Sequence, residues 1–139
     1  MSTPLSLVAR TARMLGLRDA VDVGGARMLF YTGLPPANAS LPTTETLLGT
    51  LLLSTPCGVL GQLVISSTST LATLTMAVPK TGMAVASGLI GWVRIANGAL
   101  DGFMDLPAGL TGFDAPIIVN VAQVFTGGEI QLISCVLAE

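Results

Sequence analysis

From residue 27 to the C-terminus, short apolar runs alternate with breaks that contain glycine, proline or a Ser/Thr cluster. The runs cover residues 27–32, 46–53, 59–65, 72–78, 89–96, 99–106, 117–125 and 129–137. Runs this short, with such breaks, favour strands over helices. Residues 72–78 alternate most clearly, with Leu74, Met76 and Val78 on one face and Thr73 and Thr75 on the other. Asn97-Gly98 between two runs predicts a two-residue hairpin with positive φ at both positions. Thr126-Gly127-Gly128 predicts a second hairpin. About eight strands at such intervals imply an antiparallel sandwich or barrel. A jelly roll fits that number, as do other sandwiches.

The first 25 residues read differently. Leu7, Val8, Met14, Leu15, Leu17 and Val23 recur at roughly helical spacing, Ser2, Thr3 and Pro4 signal a helix start, and Gly24-Gly25 signals its end. The expected organisation is a short N-terminal helical arm over 1–25 and a β domain over 26–139. Arg10, Arg13 and Arg18 are expected mainly on the polar side of that helix. Arginine is favoured at protein interfaces and pairs bidentately with carboxylates, so these three are the candidate partner contacts. Removing residues 1–23 is expected to leave the β domain folded.

Only 10% of the 139 residues are charged, against roughly 25% in ordinary domains. A surface so poor in charge suits a chain that neighbours cover. The charge is also divided. Residues 1–27 carry two more arginines than carboxylates, whereas 28–139 set Lys80 and Arg94 against six carboxylates. The net −2 argues against nucleic acid as the main partner. Residues 46–79 carry no charge, but Pro56, Gly58, Gly61 and many Ser and Thr interrupt them, which argues against a membrane span.

Catalytic chemistry finds little to use. There is no histidine for a hydrolytic triad or a metal site. Lys80, the only lysine, has no SxxK spacing to a serine and is expected in an exposed loop. Asp101 and Asp105 are expected as solvated acids on one side of a strand. A calcium site from Asp101, Asp105 and Asp114 lacks the dense pattern of known loops. Cys57 and Cys135 sit in apolar runs and are expected as buried free thiols, with a single bridge the alternative. The expectation is a protein that is not an enzyme and carries no metal or cofactor.

Four segments carry a resemblance: Arg18 to Asp22, Phe30 to Pro35, Gly91 to Ala96, and Gly127-Gly128. Together they resemble a family of small tailed-bacteriophage virion proteins, the capsid cement or decoration proteins. The resemblance implies a jelly-roll-like fold and a place on the outer surface of the virion, reached after synthesis in the host cytoplasm. It implies the major capsid protein and further copies of the chain, as dimer or trimer, as partners. A tail or head–tail connector component is the neighbouring alternative. A small membrane-active lysis protein is the alternative of another class. Where relatives carry acidic turns, this chain has Asn97-Gly98.

Overall fold

A computed structural model describes residues 6–67, 69–78, 80–110 and 115–138. It begins with one helix, α1 (Leu7–Asp22). The Ser6 hydroxyl caps it by accepting the Ala9 N–H at 3.2 Å, so the cap is later than Ser2-Thr3-Pro4, whose residues lie outside the described set. Gly24 and Gly25 leave the helix with φ of +74° and +97°, as the Gly-Gly signal implies.

Among the described residues eleven strands follow: β1 (Arg27–Tyr31), β2 (Leu47–Leu52), β3 (Gly58–Ser66), β4 (Ser69–Met76), β5 (Lys80–Met83), β6 (Gly88–Leu89), β7 (Trp92–Ala96), β8 (Gly102–Leu110), β9 (Ile117–Val119), β10 (Gln123–Val124) and β11 (Glu129–Ala138). Nine form one sheet in the order β2-β1-β7-β8-β9-β11-β4-β3, with β5 also on β11. β6 and β10 form a separate pair. The fold is mainly β, with one short helix and a curled mixed sheet. The expected wholly antiparallel arrangement is corrected at β8 and β9, which pair in parallel with Ala108 opposite Ile117.

β11 organises the curl. Its first half pairs with β5 and its last residues with β4, while β9 runs along its other edge. The sheet curls far enough for β5 to reach β2: Gly49 bridges Ala84, and the Val85 N–H donates to the Leu48 carbonyl at 2.8 Å. A Cβ on Gly49 would lie 2.8 Å from Ile130 Cδ1 and 3.2 Å from the Met83 carbonyl oxygen. Glycine there permits the close approach. The concave side is filled by Met28, Phe30, Leu48, Leu51, Val93, Ile95, Ile117, Ile130 and Leu132, all fully buried.

Three other expectations are corrected. Residues 117–125 are not one strand: Asn120, Val121 and Ala122 divide β9 from β10, and the Asn120 side-chain oxygen accepts the Gln131 N–H at 2.9 Å. Residues 89–96 are broken at Ile90-Gly91, where the Ile90 N–H turns to the Ala122 carbonyl at 2.8 Å; Gly91 passes so close to Gly33 that a Cβ would come within 2.3 Å of its carbonyl oxygen. Lys80 is not in an exposed loop but opens β5, half-buried and paired with Leu132.

The Asn97-Gly98 turn is also different from expectation. Residues 97–101 form the connection between β7 and β8, and the positive φ falls on Leu100, at 64°, not on Asn97 or Gly98. The Asn97 side-chain oxygen accepts N–H bonds from Ala99 and Asp101, both at 3.0 Å, and builds the loop from inside.

Candidate functional site

α1 is not a detached arm. It packs across β4 and β3 through Met14 and Val21, both buried, with Leu7 and Leu17 against the same core. Its far end is tied down by the Asp22 carboxylate, which accepts the Cys57 N–H at 3.0 Å. Deleting residues 1–23 would therefore uncover the core, and the expectation of an intact β domain without them is withdrawn.

The three arginines do not share one free face. Positions 7, 10, 14, 17 and 21 make a single helical stripe, and that stripe faces the sheet. Arg10 lies within it and is half-buried. Arg13 is exposed. Arg18 is half-buried, with its guanidinium 3.4 Å from the adjacent Asp19 carboxylate. The sequence reading placed all three mainly on the polar side; helical spacing puts Arg10 among the leucines instead.

The fold brings this basic helix onto the charge-free stretch. The described residues of 46–79 form β2, β3 and β4. Among the described residues no helix is long and apolar enough to cross a membrane. β3 ends the sheet order, and β4 is the one strand that pairs with it among the described residues. Val59, Val64 and Ile65 on β3 are at least 60% exposed, and Leu63 is nearly half exposed. Such an edge carries main-chain groups that another strand can pair with. The basic helix and the apolar edge thus belong to one part of the molecule, although more than forty residues separate Arg18 from Leu60 in sequence. Nothing in the local sequence of either segment encodes this proximity.

The strongest polar cluster lies elsewhere. Arg94 on β7 faces Asp105 on β8, and its Nε and one terminal nitrogen donate to the two carboxylate oxygens at 2.7 and 3.0 Å. Their side chains are only 9% and 7% exposed. The hydrogen bond to Asp105 raises the Arg94 pKa above its usual value, against the effect of burial. The Arg94 guanidinium carbon also lies 5.4 Å from the centre of the Trp92 ring, which stacks on Tyr31 at 4.6 Å. Trp92 Nε1 donates to the Thr32 carbonyl at 3.0 Å. The two-pronged Arg94–Asp105 pair and the Trp92 bond to Thr32 pin β1, β7 and β8 together. Asp105 is thus not the solvated acid expected. Asp101 lies in the loop before β8, exposed, and accepts a bond from the Asn97 amide at 3.3 Å. Asp114 lies outside the described residues.

An open groove of about 510 Å³ is lined by Gly33 to Pro36 and Pro42 to Glu45. Its acid, Glu45, is engaged in accepting the Leu34 N–H at 3.1 Å. Ser87 accepts the Thr126 N–H at 3.0 Å and lies 3.3 Å from the Thr126 hydroxyl. Among the described residues no three His, Cys, Asp or Glu side chains gather to hold a metal.

Cys57 and Cys135 are free and buried. Burial pushes both thiols up to about 12; for Cys57 the nearby Asp22 adds to the effect. At pH 8 iodoacetamide is therefore expected to label the native protein at least about a hundredfold more slowly than the urea-unfolded chain, since the thiolate is the nucleophile. Equal rates, followed by mass spectrometry, would contradict this burial.

No family model, curated protein or solved structure matches the chain.

Proposed function

We propose that this chain is a structural virion protein: it binds the outside of a bacteriophage capsid and cements neighbouring major capsid protein subunits. The observation that carries the reading is the joint surface of α1 and the β3–β4 hairpin. There a helix bearing Arg10, Arg13 and Arg18 lies across an apolar, charge-free hairpin with an open strand edge. Such a surface offers a capsid partner guanidinium groups for carboxylates and apolar side chains for a patch, and it offers a second copy main chain for strand addition. A clamp across a subunit seam needs contacts of this kind and no reacting group. Under the same reading the curled sheet is a jelly-roll-type body, and the protein works as a homo-oligomer. The resemblance of Arg18 to Asp22, Phe30 to Pro35 and Gly91 to Ala96 to phage cement proteins supplies the partner.

Purified protein is expected to decorate expanded shells at a fixed stoichiometry per capsomer and to raise their melting temperature. Arg13→Glu, at an exposed position, is expected to weaken attachment about tenfold while circular dichroism stays unchanged. Added protein that never binds expanded shells would overturn the reading.

A further inference from the structure

We infer that the outer edge of β3 is a homotypic pairing surface, which joins two copies of this chain into one continuous sheet. This deepens the homo-oligomer part of the function proposed above, but it concerns the free protein and is tested without shells.

The edge lacks the charges and prolines that usually block pairing. Residues 58–66 contain no lysine, no proline and no charge of either sign. The nearest charged residues along the chain are Glu45 and Lys80. A bulge between Val64 and Ser66 lies at the tip, so Leu60 to Val64 remain a regular segment. Two neutral strands meet without repulsion, whereas a basic or acidic peptide would find no counter-charge on β3.

The sequence of the edge also fits itself. Two antiparallel strands joined in one sheet across a twofold axis require that axis to be perpendicular to the sheet, which keeps each face on its own side. Directly opposed residues must then share parity, and the axis passes midway between one residue and its own copy. With Gln62 on the axis, Leu60 of one copy faces Val64 of the other, and Gly61 faces Leu63. Val59 approaches Ile65. Aliphatic side chains meet on both faces, and the only polar residue of the segment meets its own copy, where two amides can exchange hydrogen bonds. Leu60 packs against the core, so the opposing Val64 would extend that core across the seam. Val64 is 68% exposed in the single chain, and the pairing gives it a covered place.

The geometry has a consequence for attachment. A perpendicular twofold leaves both copies of α1 on the same face of the joined sheet. Helix α1, with its exposed Arg13, is then presented twice on one face, as suits bivalent binding to a repeating surface.

Sedimentation velocity of the free protein over a rising concentration series is expected to show a monomer–dimer equilibrium. Val64→Lys, which puts a charge on the edge, is expected to weaken it by at least about tenfold. Cysteine cross-linking reads the register. Opposed Cα atoms in an antiparallel pair lie about 4.5–5.5 Å apart, within disulfide reach. Gln62→Cys is therefore expected to give a covalent dimer under mild oxidation. Leu63→Cys is not, because its own copy lies two residues along, about 8 Å away. The native Cys57 and Cys135 are at most 1% exposed and leave the wild-type background low. A protein that stays monomeric throughout would overturn the inference. So would a dimer that Val64→Lys leaves unchanged, or equal cross-linking at positions 62 and 63.

Discussion

Asp105→Ala is expected to destabilise the protein by about 3–5 kcal/mol, read as a lowered urea midpoint. The loss comes less from the missing attraction than from what is left behind. Arg94 is 8% exposed, and its guanidinium cannot deprotonate to escape burial. Without Asp105 the charge stays in the strand layer with the Trp92 face beside it and no carboxylate opposite. Removing both charges together is expected to cost much less. Arg94→Met combined with Asp105→Leu should recover most of the loss, because an apolar pair of similar volume needs no partner. A single-variant effect below about 1 kcal/mol, the value of an exposed pair, would contradict the buried clamp.

Gly98→Ala is expected to cost about 3 kcal/mol, at the upper end of what overpacking does. An added Cβ would lie 2.2 Å from the Gly24 carbonyl oxygen and 2.7 Å from its Cα. Both are main-chain atoms, so the β7–β8 loop and the helix exit must separate. That separation also strains the Gly98 N–H bond to the Val23 carbonyl, 2.9 Å long. Gly127→Ala is the control. Its φ is +85° but nothing lies within 4 Å of the added carbon, so only the backbone penalty of about 1–2 kcal/mol applies. Equal losses at the two sites in thermal unfolding would contradict the close contact with Gly24 as the reason for Gly98.

These two sites also show where the sequence was readable and where it was not. The Asn97-Gly98 signal correctly marked a reversal between two strands, but the reason for the glycine was distant. Gly98 is needed because Gly24 passes against it, and no local pattern encodes that neighbour. The length of the turn also sets the register. A two-residue turn at 97 and 98 would set Arg94 opposite Asp101, whereas the longer loop and a bulge between Ile95 and Ala96 set it opposite Asp105. A single shift of register thus exchanged a solvated acid for a buried one.

Elements with their own signal were legible. β1, β2 and β11 lie within about a residue of the apolar runs that predict them, and the helix ends at its Gly-Gly pair. β5 was missed because Lys80-Thr81-Gly82-Met83 has neither alternation nor an apolar run; β11 and β2 hold it as a strand from either side. The parallel pairing of β8 and β9 was invisible for a related reason, since strand sequences carry weak information about partner direction. The candidate site followed the same rule. Its parts, the three arginines and the charge-free stretch, were visible in the sequence. Their union on one side of the molecule is tertiary, as is the burial of Arg10 within the stripe that docks α1.

The central claim is that this domain works by holding capsid subunits from outside, and imaging tests it most directly. Electron cryomicroscopy of expanded shells incubated with the protein should reveal the curled sheet on the outer surface, across seams between capsid subunits, with α1 and the β3–β4 hairpin toward the contacts. Bare shells, or density confined to the tail or the interior, would contradict it.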